Sequence, residues 1–267
     1  MRLAAQAGEA GVGPRVIHAD AASGTIAMQG LTLGWRTATQ YSLQDALPAA
    51  MAVLKINDFL PDHRPSTHSD FACRDKRVAA IAAYRRMHAL PALGLTKTVF
   101  DMIDEHAAQC RTLDAPRFRH HDWVMLNEAM AREALMAAGM DLVPCFNDPM
   151  PGNFMIGPDG SIMLIDYEYS SMNDRCYDLG IWFGEMFFTP AQEMELIEEY
   201  FGHAPRDLVA RVTVHKALAD VKWALWSMVQ LRVSRLDFDF HKYGMWKLMR
   251  FRQITGHPDW PAQLRSL

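Results

Sequence analysis

Residues 142–169, LVPCFNDPMPGNFMIGPDGSIMLIDYEY, constrain this chain more tightly than any other stretch. Short apolar runs at 142–146, 153–156 and 161–165 are separated by turn formers, and runs of this length read as strands. Gly157-Pro158-Asp159-Gly160 supplies turn chemistry between the last two. The pattern predicts a hairpin with Asp148 in a loop after the first strand. Asn153 begins the next strand, and Asp166 follows the returning one. Two strands and a turn thereby deliver three oxygen-bearing side chains to one cleft.

The flanking chain is mostly helical. Residues 2–10 are alanine-rich and end at Gly11, Gly13 and Pro14, which stop a helix. Residues 15–19 and 25–29 predict two short strands, 43–57 another helix, and the polar, Pro-containing 60–70 a surface loop. Apolar residues at helical spacing predict helices over 77–89 and 98–111. Asp122 is the expected cap of a helix running to about residue 138, with Gly139 at its stop. Thr189-Pro190 marks a helix start, and long helices follow over 206–234 and 240–253. No internal repeat is visible. The fold class is α+β, with a small mixed piece at 1–40 and a large helical region at 41–267 carrying one hairpin.

Composition excludes several classes. A formal charge of −4 and a pI near 6.2 leave no basic footprint for nucleic acid. The four cysteines, Cys73, Cys110, Cys145 and Cys176, form no C-x-x-C pair and read as free thiols in a reducing cytosol. No apolar run of about 18 residues predicts a membrane span. The N-terminus lacks the apolar core of a signal peptide. His120-His121 reads as solvated or structural.

Phosphoryl transfer asks a protein for positioning and charge neutralisation rather than covalent chemistry. One carboxylate must take the acceptor hydroxyl's proton, and oxygen ligands must hold magnesium against the nucleotide phosphates. Asp148 followed five residues later by Asn153, then Asp166 after an apolar run, has the order of a kinase catalytic loop. Cys145-Phe146-Asn147-Asp148, Asn153, Ile165-Asp166-Tyr167-Glu168-Tyr169 and Asp178-Leu179-Gly180 together resemble the choline/ethanolamine kinases, within the aminoglycoside-phosphotransferase-like group. The resemblance implies a protein-kinase-like fold, ATP as co-substrate and Mg2+ as cofactor. It makes Asp148 the catalytic base and Asn153 and Asp166 the magnesium ligands, with Asp178 and Phe146 as structural support.

It extends to Trp223-Ala224-Leu225-Trp226-Ser227-Met228-Val229-Gln230, similar to the family's W-x-L-W-S-x-x-Q helix, and to Phe238-Asp239-Phe240 and Tyr243. In choline kinases these aromatics line the quaternary-ammonium pocket, because ring faces attract a desolvated cation. Trp223, Trp226 and Tyr243 are the implied substrate-binding residues, with Glu185 and Glu168 adding negative charge. The same aromatics at helical spacing also suit ordinary core packing.

Phe146 stands where the family usually has His. Residues 2–19 resemble the end of the small lobe's helix and the strand after it. The family's glycine loop and strand lysine are therefore expected ahead of Met1, making 1–40 a remnant of the small lobe and hinge. Lys55, in Ala52-Val53-Leu54-Lys55-Ile56, comes in the wrong order for that lysine and reads as a helix-surface residue. The resulting expectation is a cytoplasmic kinase that phosphorylates a hydroxyl of choline or a related amino alcohol. The alternatives are a non-catalytic kinase-like binding protein, or a phosphotransferase acting on an aminoglycoside or sugar alcohol.

Overall fold

A computed structural model describes residues 1–31, 34–38 and 70–267. The predicted helix at 43–57, Lys55, most of the loop at 60–70 and the boundary near residue 40 lie outside them. The chain divides into two compact units, each gathered from separate stretches. Unit 1 comprises Met1–Pro91, Asp148–Glu168 and Trp182–His203; unit 2 comprises Ala92–Asn147, Tyr169–Ile181 and Ala204–Leu267.

Unit 1 opens with α1 (Arg2–Glu9), which buries Leu3, Ala4 and Ala7. Its end is set by Gly11 at φ +67°, where the chain turns back and the N–H groups of Val12 and Gly13 both reach the Ala7 carbonyl. An antiparallel pair follows, β1 (Val16–Asp20) with β2 (Thr25–Met28). A second sheet has the order β3 (Arg36–Thr37), β5 (Phe154–Ile156), β6 (Ile162–Leu164), all antiparallel. The predicted hairpin is therefore present, and its turn works as the residue types dictate. Gly160 takes φ +82°, while Asp159 Oδ1 accepts from the backbone N–H and the hydroxyl of Ser161.

Helix α2 (Arg74–His88) packs against α6 (Pro190–Phe201) in the same unit. Arg77 Nη2 reaches Glu195 at 2.8 Å, and His88 Nδ1 meets Tyr200 Oη at 2.7 Å. The core is aromatic: Trp182 lies 5.5 Å from Phe71, 5.5 Å from Tyr84, 6.0 Å from Phe154 and 5.1 Å from Phe188. Helix α6 starts where expected. Thr189 and Gln192 form a reciprocal capping box ahead of Pro190, and Gly202 ends the helix at φ +81°.

Unit 2 holds α3 (Val99–Thr112), α4 (His121–Ala138), α7 (Arg206–Val233), α8 (Phe240–Thr255) and α9 (Trp260–Arg265). Helix α5 (Arg175–Glu185) starts in unit 2 and ends in unit 1. The 28 residues of α7 span about 42 Å. They are buried on nearly every side against α3 and α8, so the sequence there lacks a simple apolar stripe. Small residues allow the closest approaches: a Cβ on Gly180 would meet the Lys216 backbone nitrogen at 2.7 Å.

Three local expectations are corrected. Asp122 does not cap α4, because the helix begins at His121 after His120 in left-handed conformation at φ 61°. Strand β4 is Leu142–Cys145, without Phe146, and pairs with an unpredicted strand β7 (Ser171–Asp174) rather than with the hairpin. Asn153 closes a 3-10 turn, Pro151–Asn153, instead of opening a strand. Among the described residues no helix is long and apolar enough to cross a membrane.

Candidate active site

Asp148, Asn153 and Asp166 all lie in unit 1. Asp148 is buried, and its carbonyl accepts from the Met150 N–H at 2.8 Å. Pro151 then opens the 3-10 turn, whose last residue folds back. Asn153 Nδ2 donates to the Asp148 carbonyl at 2.9 Å and to carboxylate Oδ2 at 3.1 Å. The amide thereby fixes the carboxylate's orientation and spends its donors there. Its Oδ1 enters no hydrogen bond among the described residues. The Ile165 N–H reaches the Asn153 carbonyl at 3.0 Å, so the strand leading to Asp166 is tied directly to the same turn.

Asp166 itself is exposed and sits at φ 66°. That conformation costs an L-residue roughly 1–2 kcal/mol, and Asp and Asn tolerate it best. Its carboxylate has no hydrogen bond or ion pair among the described residues. Carboxylate and amide oxygens are the hard donors that magnesium prefers, so the chemistry of Asp166 and Asn153 fits that ion. Glu168 is exposed, two residues further on.

Tyr167 anchors this end of the hairpin, and sequence reasoning assigned it no role. Its hydroxyl donates to the Leu164 carbonyl at 3.0 Å, while burial pushes the phenol's pKa well above the ordinary value. The Leu164 N–H donates to the Val12 carbonyl at 2.8 Å. A Cβ on Gly13 would lie 2.5 Å from the Tyr167 hydroxyl, so this approach requires glycine. The Gly-x-Gly after α1 and the I-D-Y-E-Y motif are thus two sides of one contact.

The residues just ahead of Asp148 are fixed inside unit 2. Phe146 is fully buried. The backbone N–H groups of Phe146 and Asn147 donate to Asp178 at 2.6 and 2.7 Å. Asp178 therefore stands where the motif places a loop brace. Asn147, at φ 65°, donates to the Tyr169 carbonyl and to Ser171 Oγ, and accepts from Asn173 Nδ2 at 2.9 Å. Every polar atom of this buried amide is used, which pins the left-handed residue in place.

A neighbouring buried carboxylate belongs to the same framework. Asp174 accepts from the Asp141 N–H at 2.9 Å and the Cys176 N–H at 2.9 Å, and pairs with Arg211 and His215. Burial works against its ionisation, but His215 and Arg211 outweigh burial and hold its pKa well below the usual range.

The predicted aromatics also lie in unit 2. Trp223 is buried and meets Trp226 edge-on at 5.3 Å; Trp226 meets Tyr243 at 6.0 Å and Phe240 at 5.7 Å. Tyr169 closes on Trp223 at 5.5 Å. Sequence reasoning missed two lysines here. Lys222 is completely buried, with Nζ 3.0 Å from the Trp223 ring centroid and 4.3 Å from that of Tyr169. Lys247 Nζ lies 4.7 Å from the Tyr243 centroid. One turn before Trp223, buried Asp220 pairs with Arg250. Glu185 is 3 % exposed, at the end of α5 in unit 1.

A sequence profile of the choline/ethanolamine kinases matches residues 69–200, a span that contains the whole hairpin and its brace. The solved structure of a choline/ethanolamine kinase family protein from Mesorhizobium loti is 26 % identical and superposes over 99 % of this chain and 81 % of its own, with a TM-score of 0.79. Over residues 69–200 the chain matches the choline/ethanolamine kinase family. Its fold is the protein-kinase-like α+β fold. Ethanolamine kinase 2 from Rattus norvegicus is 28 % identical over 176 residues, covering 58 % of this chain and 44 % of that enzyme. The chain thus matches less than half the length of that relative. The choline kinase from Streptococcus pneumoniae, at 19 % identity and a TM-score of 0.68, shares the fold.

Proposed function

We propose that this chain is a member of the choline/ethanolamine kinase family and transfers the ATP γ-phosphoryl group to a hydroxyl of a small amino alcohol. In this reading Asp148 accepts the hydroxyl proton as the acceptor oxygen attacks phosphorus, and the bond from phosphorus to the ADP oxygen breaks. Asn153 holds the Asp148 carboxylate through Nδ2. Its Oδ1 and the Asp166 carboxylate would hold Mg2+, which neutralises phosphate charge when bound. Asp178 positions the loop through the Phe146 and Asn147 N–H groups. The family resemblance further assigns Trp223, Trp226 and Tyr243 to acceptor binding, with Glu185 and Glu168 adding negative charge.

The observation that carries this reading is the Asn153 amide clamped on Asp148 beside the strand that ends at Asp166. Residues 1–40 are read as small lobe and hinge, and 41–267 as the large lobe. The setting is cytoplasmic, in keeping with thiols at Cys145 and Cys176 that burial pushes well above ordinary pKa values.

The test is magnesium-dependent ADP release with choline and with ethanolamine, for wild type and Asp148→Asn. Loss of a general base is expected to cost about 10²–10⁴-fold. Equal rates in the two proteins remove Asp148 from the chemistry. Magnesium-dependent ATP binding without turnover for either acceptor favours the kinase-like binding module, the reading that Phe146 in place of the family's His supports.

A further inference from the structure

Lys222 puts a cation of the protein's own on Trp223, one of the rings that the family resemblance gives to the substrate, and on the neighbouring Tyr169. Its Nζ lies 3.0 Å from the Trp223 centroid and 4.3 Å from the Tyr169 centroid, between two rings that meet edge-on at 5.5 Å. The lysine is 0 % exposed and Trp223 4 %. We infer that Lys222 is a specificity-determining residue that fills the cation site on Trp223 and Tyr169, so that the acceptor is an alcohol whose head carries no permanent positive charge. This rests on the reading of Trp223, Trp226 and Tyr243 as the acceptor side.

A ring face attracts a cation through its quadrupole, and one face serves one cation at close range. Lys222 is tethered by its own side chain and reaches the face without giving up the translational freedom that a free ligand must surrender. An incoming trimethylammonium would have to displace a lysine that stays buried beside it, and two like charges at such separations in a poorly hydrated site repel strongly. A primary amine escapes this conflict, because it can shed its proton and its nitrogen can form hydrogen bonds. A trimethylammonium can do neither. Lys222 therefore separates choline from ethanolamine-like or uncharged alcohols, a distinction that the two tryptophans alone do not make.

The test is a binding titration that needs no phosphoryl transfer, so it stands or falls independently of Asp148. Choline and tetramethylammonium are titrated into wild type and Lys222→Met, followed by tryptophan fluorescence and calorimetry. Methionine keeps the side-chain length and removes the charge. The variant is expected to bind choline at least about tenfold more tightly than wild type. Equal affinity in the two proteins overturns the inference, and so does a folded Lys222→Met protein that binds neither cation. NMR of the wild type supplies a readout that no variant's folding can confuse. The Lys222 ε-methylene protons are expected upfield of those of the exposed lysines, because they lie over aromatic rings. A Lys222 signal at the exposed-lysine position overturns the inference.

Discussion

Asp166 and Asp174 lie eight residues apart in sequence, and the structure treats them in opposite ways. Asp174 is 0 % exposed and takes hydrogen bonds from two backbone N–H groups, with Arg211 and His215 beside it. Asp166 is exposed, rests in left-handed backbone, and has no partner among the described residues. Replacing water around a buried carboxylate takes several donors, and Asp174 has them. A carboxylate held in a costly conformation without a partner gains nothing for folding, so the surrounding structure must impose it. The ladder bond at Ile165 and the buried Tyr167 do that on either side. Asp174 has the surroundings of a framework group, and Asp166 does not.

The most damaging change on the framework side is expected at Asp174. Asp174→Asn leaves Arg211 and His215 facing a neutral amide, and breaking a buried ion pair from one side costs about 3–5 kcal/mol. Urea denaturation measures the loss. The matching change at the exposed site, Asp166→Asn, is expected to leave the midpoint nearly unmoved, and comparable losses in both variants erase the contrast.

The same pair sharpens under acid. The Asp174 pKa is lowered in the folded chain, so below the usual carboxylate range, about pH 4, the unfolded chain binds the proton first. Its contribution is complete above that pH and is lost as pH falls toward the depressed folded value. Asp174→Asn is therefore expected to flatten the acid limb of a stability-versus-pH curve. An acid limb as steep as that of wild type assigns the acid sensitivity to other carboxylates.

Gly180→Ala tests the helix contact in the framework unit. The new methyl meets backbone atoms of α7 at 2.7–2.8 Å, which no side-chain rotation relieves. Overpacking of this kind costs about 1–3 kcal/mol, again read by urea. The smallest effect is expected at Thr189→Ala, where loss of the cap on α6 costs about 1 kcal/mol.

These differences track what a sequence can reveal. The hairpin turn, the helix start at Thr189-Pro190 and the stop at Gly139 were legible because each is decided by a few adjacent residues. Strand β7 was not. Ser171-Met172-Asn173-Asp174 has no strand pattern of its own and is extended because Leu142–Cys145 pairs with it. The left-handed His120 displaced the expected Asp122 cap by two residues. At the candidate site, order and spacing single out Asp148, Asn153 and Asp166. The resemblance names Asp178 and Phe146 as supports, but not the Asn147–Asn173 amide pair, the Gly13–Tyr167 contact or the Lys222 ammonium, because these join residues whose pairing only the folded chain shows.

The central claim is that Asp166 is held exposed to bind the metal that accompanies the nucleotide. Mn2+ is a spectroscopic substitute for Mg2+, and its binding in the presence of ATP can be followed by electron paramagnetic resonance. The account predicts that wild type takes up Mn2+ with ATP, and that Asp166→Asn loses this uptake while keeping the wild-type circular dichroism spectrum and urea midpoint. Undiminished Mn2+ uptake by a folded Asp166→Asn protein would contradict it.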